Sequence, residues 1–204
     1  MTRDRYPDAD ILAQRGHWDD ATRKVILDRV HNVPGFHFFD EHEVQVLIAL
    51  CDRVIPQSHR APGKRVPIAP WIDQRCQIRA DTGTRFDDMP ANETAWRLGL
   101  RGIDETSRIM FGDTFDDIPA EHQDTVLRAI AGGSPPGETW RRMPARRFWI
   151  FVAMRQIAGI YYAHPWAWDE IGFGGPAYPR GYASLNNGAP EPWEAREVAE
   201  DDRA

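Results

Sequence analysis

The run from Phe148 to Tyr162 limits this chain more than any other stretch, because almost every position in it is apolar. Phe148, Trp149, Ile150, Phe151, Val152, Ala153 and Met154 follow one another without a break. Ile157, Ala158, Ile160, Tyr161 and Tyr162 continue the pattern. A helix that is apolar on every face has to be enclosed by other elements. Arg155 and Gln156 interrupt the run, and it falls short of the roughly 20 apolar residues that cross a bilayer. It is therefore expected to be the central column of a helical domain and not a membrane span. His164-Pro165 closes it, since the residue before a proline is pushed out of the α region.

The chain changes character beyond that point. Residues 164–193 read as an extended strap rich in glycine, proline and aromatic side chains, with few charges and no expected helix. Four of the chain's five tyrosines lie in it or at its edge: Tyr161, Tyr162, Tyr178 and Tyr182. Tyrosine and tryptophan offer large contact area with a polar tip, and they dominate interface hot spots. Glycine and proline hold an extended shape, so less entropy is lost on docking. Trp166, Trp168, Ile171, Gly172, Phe173, Gly175, Tyr178 and Tyr182 are accordingly the candidate partner-binding residues. The alternative is that the strap folds back and merely covers its own core.

Upstream, the local signals are helical. Residues 1–35, broken by Pro7, Gly16 and Pro34, read as a charged N-terminal arm with one short helix around 20–30. Asp40 and Glu43 form a capping box, with Phe39 and Val44 placed as a hydrophobic staple. The helix they open carries Val44, Leu47, Ile48, Cys51, Val54 and Ile55 on one face, widened by Val46 and Leu50. Asp52 and Pro56 are expected to set its exit. Further helices are expected at about 70–79, 90–111 and 119–131, with Trp71, Ile72 and Cys76 inward in the first of these. Pro70 and Pro90 fall in first turns, and Gly112 and Gly132-Gly133 act as stops. The long apolar helix, 145–162, is the fifth. No stretch alternates with period two. The expectation is an all-α fold, about five helices packed around the central apolar one. Its parts are the arm 1–35, a single domain 36–193 including the strap, and an acidic tail 194–204.

Charge narrows the function. The chain has 204 residues, 31 acidic against 25 basic, for a net charge of −6. Nucleic-acid binding needs a basic stripe, so that class is excluded. The two cysteines, Cys51 and Cys76, fall in helical apolar patterns and read as buried thiols, with a disulfide as the alternative. The first thirty residues hold no apolar signal core. A cytoplasmic protein is expected on that ground, or a periplasmic one if a partner exports it or a leader has been removed.

No arrangement of side chains reads as a catalytic centre. Gly172-Phe173-Gly174-Gly175 is not preceded by a strand, as a phosphate-cradling loop requires. His31, His37 and His42 are spaced so that they do not share a helical face. His164, Asp169 and Glu170 could be drawn as an acid–base set, but a capping histidine beside two solvated acids explains them as well.

Four pieces, taken in order, resemble the gluconate 2-dehydrogenase subunit 3 family. The first is Phe38-Phe39 with Leu50-Cys51-Asp52-Arg53-Val54-Ile55-Pro56, followed by Ala61-Pro62-Gly63 and Trp71-Ile72-Asp73. The second is Phe111-Gly112 with Phe115, Gln123, Leu127 and Gly132. The third is Gly159-Ile160-Tyr161-Tyr162 before Pro165. The fourth is Trp168, Ile171-Gly172-Phe173 and Gly175. The likeness covers about 36–182. It departs from many members in having only Trp166-Ala167 between the proline and the tryptophan, and the export leader that many members carry is not expected from the first thirty residues.

The resemblance implies a non-catalytic small subunit that holds no cofactor or metal of its own. The partner it implies is a flavoprotein of the glucose–methanol–choline (GMC) type that carries FAD, often with a c-type cytochrome completing the complex. Support of the partner's folding, export or stability would be its task. The competing reading is a stand-alone enzyme or small-molecule binder with a pocket between strap and central helix. A third is a cytoplasmic chaperone that releases its flavoprotein client.

Overall fold

The structure, a computed structural model, describes residues 5–80, 83, 85–181 and 193–198. In chain order the helices are α1 (Asp20–His31), α2 (Glu41–Val54), α3 (Ile68–Gln77), α4 (Asn92–Phe111), α5 (Ala120–Gly132), α6 (Ala145–Arg147), α7 (Arg155–Tyr162) and α8 (Pro165–Ile171). A π-helical stretch, Phe148–Met154, joins α6 to α7, and short 3-10 turns lie at Ile11–His17, Pro62–Lys64 and Thr139–Arg142. Among the described residues there is no strand, so the all-α expectation holds. None of these helices is long and apolar enough to cross a membrane. The chain divides into two compact units. One comprises Met1–Val33, Ser58–Val66 and Tyr161–Ala204; the other comprises Pro34–Gln57 and Pro67–Ile160.

The second unit carries most of the helices. Asp40 caps α2 as expected: its carboxylate accepts from the Glu43 N–H at 2.8 Å, and the Glu43 carboxylate accepts from the Asp40 N–H at 3.2 Å. The buried side of α2 is Val44, Val46, Leu47, Leu50 and Cys51. Ile48, expected inward, is 36% exposed, because the buried arc is centred toward Val46 and Leu50 and leaves Ile48 on its rim. At the exit, Ile55 is the C-cap and Asp52 is exposed. The residue anchored there is Arg53, whose guanidinium forks onto Asp124 at 2.7 and 2.8 Å.

Asp73, on α3, is wholly buried, which a polar side chain sustains only with its hydrogen bonds made. Its two oxygens accept from the N–H groups of His37 (2.8 Å), Phe38 (3.1 Å) and Phe39 (2.9 Å). That grip fixes the chain's path into the α2 cap. On α4, Gly99 and Gly102 sit mid-helix, where glycine ordinarily destabilises by roughly 1 kcal/mol. Here the rings of Phe148 and Trp140 rest on the bare backbone: a Cβ would meet them at 2.1 and 2.6 Å. Trp96 meets Phe148 edge-on at 5.7 Å, and its Nε1 donates to Gln156 Oε1 at 3.1 Å. Gln156, an interruption in the sequence pattern, is thus a buried partner.

The apolar run is helical throughout 145–162, but it is not enclosed on every face. Phe148, Val152, Ala153, Ile157 and Ile160 are buried, whereas Ile150 (40%), Phe151 (44%) and Tyr162 (51%) are exposed. Part of this is local: Phe151 is covered on one side by the Phe86 ring at 4.8 Å, so apolar surface there is shared among rings and not sunk in a core. Both cysteines are free and buried, and burial pushes the Cys76 thiol up to about 12.

The first unit has its own small core. Ile11, Trp18 and Ile26 are each 2% exposed and cluster with Trp168 at 5%, with Leu12 packed against them. The stretch expected to be an arm therefore supplies three core residues. Its helix, α1, falls where expected and is capped by Asp19, which accepts from the Thr22 N–H at 3.0 Å.

Candidate functional site

The first part of the strap, Pro165–Ile171, is helical where it was expected to be extended. α8 starts with Pro165 at its first position, where a missing N–H is harmless and the fixed φ suits a helix. His164 is its N-cap: Nδ1 accepts from the Trp166 N–H at 3.2 Å. That leaves Nε2 as the donor to the Arg29 carbonyl, 3.0 Å away. The ring is neutral and 2% exposed, and burial holds its pKa down to about 4. Gly172 ends the helix at φ 66°, a left-handed position where a side chain would also strike the Tyr6 ring. The same proline and glycine that read as breakers are the start and stop of a seven-residue helix.

The candidate residues divide between inside and outside. Trp168 is buried, with its Nε1 donating to the Tyr162 carbonyl at 2.7 Å. Gly175, also buried, lets Ile11 approach to where a Cβ would stand at 2.6 Å. Ile171 (46%), Phe173 (39%) and Tyr178 (66%) are exposed, and the Phe173 ring rests edge-on against Trp168 at 5.3 Å. Trp166 is half-buried, with the Lys64 ammonium 5.5 Å from its ring centre. Tyr182 lies outside the described residues.

Beside α8 the first unit builds a polar assembly that the sequence did not announce. Glu170 accepts from the Tyr161 hydroxyl at 2.5 Å, pairs with Arg60 at 2.6 Å, and meets His59 Nε2 at 3.0 Å. Burial alone would raise Glu170, but the bonds from Tyr161 and His59 and the charge of Arg60 outweigh it and hold the carboxyl below its usual range. Tyr161 is pushed up to about 12, by burial first and then by its bond to Glu170. Burial raises Asp169, whose Oδ1 accepts from the Ile11 N–H at 2.8 Å. Neither acid is simply solvated, as the sequence reading had it.

His59, Arg60, Asp169 and Glu170 line a cavity of about 350 Å³, walled also by Tyr6, Asp10, Lys64 and Trp166. None of the lining residues comes from 145–160. Two buried donors on its walls, Arg60 Nε and Trp166 Nε1, have no acceptor. Arg60 and His59 lie in a loop whose composition gives no hint of this role; His59 and Glu170 are 111 residues apart. Among the described residues no group of three His, Cys, Asp and Glu side chains gathers as a metal site.

Ile171, Phe173 and Tyr178 thus leave large apolar side chains exposed close in sequence to the buried Trp168. The chain belongs to the gluconate 2-dehydrogenase subunit 3 family, whose model matches residues 41–175. Membership implies a small subunit of that dehydrogenase complex. No curated protein and no solved structure matches the chain.

Proposed function

We propose that this chain is the non-catalytic small subunit that binds and stabilises an FAD-bearing GMC-type flavoprotein. The observation that carries the reading is the exposure of Ile171, Phe173 and Tyr178 just beyond the buried Trp168, which the Phe173 ring meets edge-on; these three make up the proposed docking ridge. Large apolar side chains held at fixed positions lose little freedom on docking, and a specific interface needs at least about 1,000 Å² in total. Trp166, Trp168, Gly172 and Gly175 then support the ridge from within, while Ile171, Phe173 and Tyr178 make the contact. Catalysis belongs to the partner and its FAD, and a c-type cytochrome is the third member through which electrons leave. The chain meets its partner in the cytoplasm, where flavin is inserted, and is carried with it on export.

The test is co-expression of the flavoprotein with wild-type chain and with an Ile171→Asp, Phe173→Asp double variant. The variant should fold, fail to copurify, and leave the flavoprotein depleted in flavin. Undiminished copurification and flavin loading would count against the proposal.

A second reading, a small-molecule binder, draws on one observation: the cavity beside α8 and its two acceptor-less donors. Buried N–H groups are nearly always satisfied, so these call for a ligand or water oxygen. A ligand retained by the purified chain without any partner would favour that reading.

A further inference from the structure

The second unit holds a cavity of about 390 Å³ whose charge is the opposite of the chain's own. Arg79, Arg97, Arg101 and Arg142 line it, against one carboxylate, that of Glu93. Arg97 is committed elsewhere, paired with Glu43 at 2.7 Å and bonded to the Phe38 carbonyl. Among the described residues the side chains of Arg79, Arg101 and Arg142 have no ion pair or hydrogen-bond partner. A chain with 31 acidic residues has carboxylates to spare, yet three guanidinium groups around one concavity go without. Arg97 and Arg101 also stand one turn apart on α4, a like-charge spacing that opposes the helix.

Arg79 makes the case independent of charge counting. α3 ends in a reverse turn in which the Ala80 N–H donates to the Arg75 carbonyl at 2.9 Å and the Arg79 N–H to Cys76 at 3.2 Å. That turn places Arg79 at φ 52°, the left-handed conformation. At the corresponding positions after α4, α5 and α8 the chain uses Gly112, Gly133 and Gly172. Among the described residues only at α3 does a long charged side chain stand where glycine is favoured, and Arg79 lines the cavity. Strain kept at one residue is a mark of use.

We propose that this cavity binds a phosphate-bearing ligand. Guanidinium groups grip oxyanions through paired N–H bonds. A phosphoryl group carries close to two negative charges near neutral pH, which matches three unpaired arginines offset by Glu93 better than a single carboxylate does. The phosphate could belong to a soluble ester or to a phospholipid headgroup.

The experiment is calorimetric titration of the full chain with inorganic pyrophosphate, beside co-sedimentation with phosphatidylcholine vesicles with and without phosphatidic acid. Pyrophosphate should bind saturably, and Arg101→Ala, Arg142→Ala together should weaken it by about tenfold or more. Arg79→Gly should weaken binding yet raise Tm, because function and backbone preference pull in opposite directions there. Arg128→Ala, the loss of one charge on α5, should leave binding unchanged. Pyrophosphate that displaces the chain from phosphatidic-acid vesicles identifies a headgroup as the source; pyrophosphate binding without vesicle binding identifies a soluble ester. The proposal is overturned if pyrophosphate does not bind saturably, if Arg128→Ala weakens it as much as the double variant, or if Arg79→Gly lowers Tm. Binding of an acidic peptide without binding of pyrophosphate also overturns it.

Discussion

Each unit holds a nearly buried carboxylate, and the two are satisfied in opposite ways. Asp73 in the second unit is met by three backbone N–H groups. Glu170 in the first is met by the side chains of Tyr161, Arg60 and His59. Backbone donors are part of the chain's path, so Asp73 specifies where residues 37–39 run. Side-chain donors can rearrange and titrate, so Glu170 belongs to a cavity wall that can answer to its contents. The contrast separates a carboxylate that builds the fold from one that equips a surface.

The contrast breaks most visibly at Asp73. Asp73→Ala strands three donors, one buried and two part-buried, and should lower unfolding stability by about 3 kcal/mol, given roughly 1–3 kcal/mol for a buried unsatisfied group and less for the others. Asp73→Asn keeps one carbonyl oxygen and should lose less. Urea denaturation measures both; a loss under 1 kcal/mol would mean that the amides find other acceptors.

A pH scan comes next, because His164 heads the helix that carries Glu170. Its folded-state pKa of about 4 lies below the ordinary histidine value of 6.5, so the unfolded chain binds the extra proton first as pH falls. Stability from the neutral ring is fully present above about pH 6.5 and is lost progressively as pH falls through about 4. The shift corresponds to about 3 kcal/mol. Protonation also removes the Nδ1 acceptor that caps α8. Melting followed between pH 8 and pH 4 should show this loss, and His164→Asn should flatten it. An unchanged slope in the variant would assign the acid sensitivity elsewhere.

Arg60→Met should have the smaller effect, about 2 kcal/mol, because His59 and Tyr161 remain beside Glu170. Its sharper signature is a rise in the Glu170 pKa, readable by carboxyl NMR titration. An unmoved Glu170 would mean that Arg60 contributes little to holding it ionised.

What the sequence disclosed was local. Asp40 and Glu43 are three residues apart and read directly as a cap; Gly112 and Gly133 marked helix ends for the same reason. α8 was missed because Pro165 and Gly172 are ambiguous signs, equally able to break a helix or to bound one. The enclosed column was overstated because a run of apolar residues does not say how many neighbours will reach it, and Ile150 and Phe151 remain outside. The polar assemblies were illegible, since Asp73 reaches amides 34–36 residues away and His59 meets Glu170 across 111. Arg79 was hidden by a different route: a left-handed helix end carries a glycine signal only when glycine is there.

The claim that most needs testing is that the ridge at Ile171, Phe173 and Tyr178 is where a second polypeptide sits. Hydrogen exchange read by mass spectrometry, on the chain alone and in complex with its flavoprotein, addresses it directly. Amides of residues 171–181 should slow on complex formation while those of α4 stay as they were. A complex that forms and leaves 171–181 exchanging at the free rate would contradict the account.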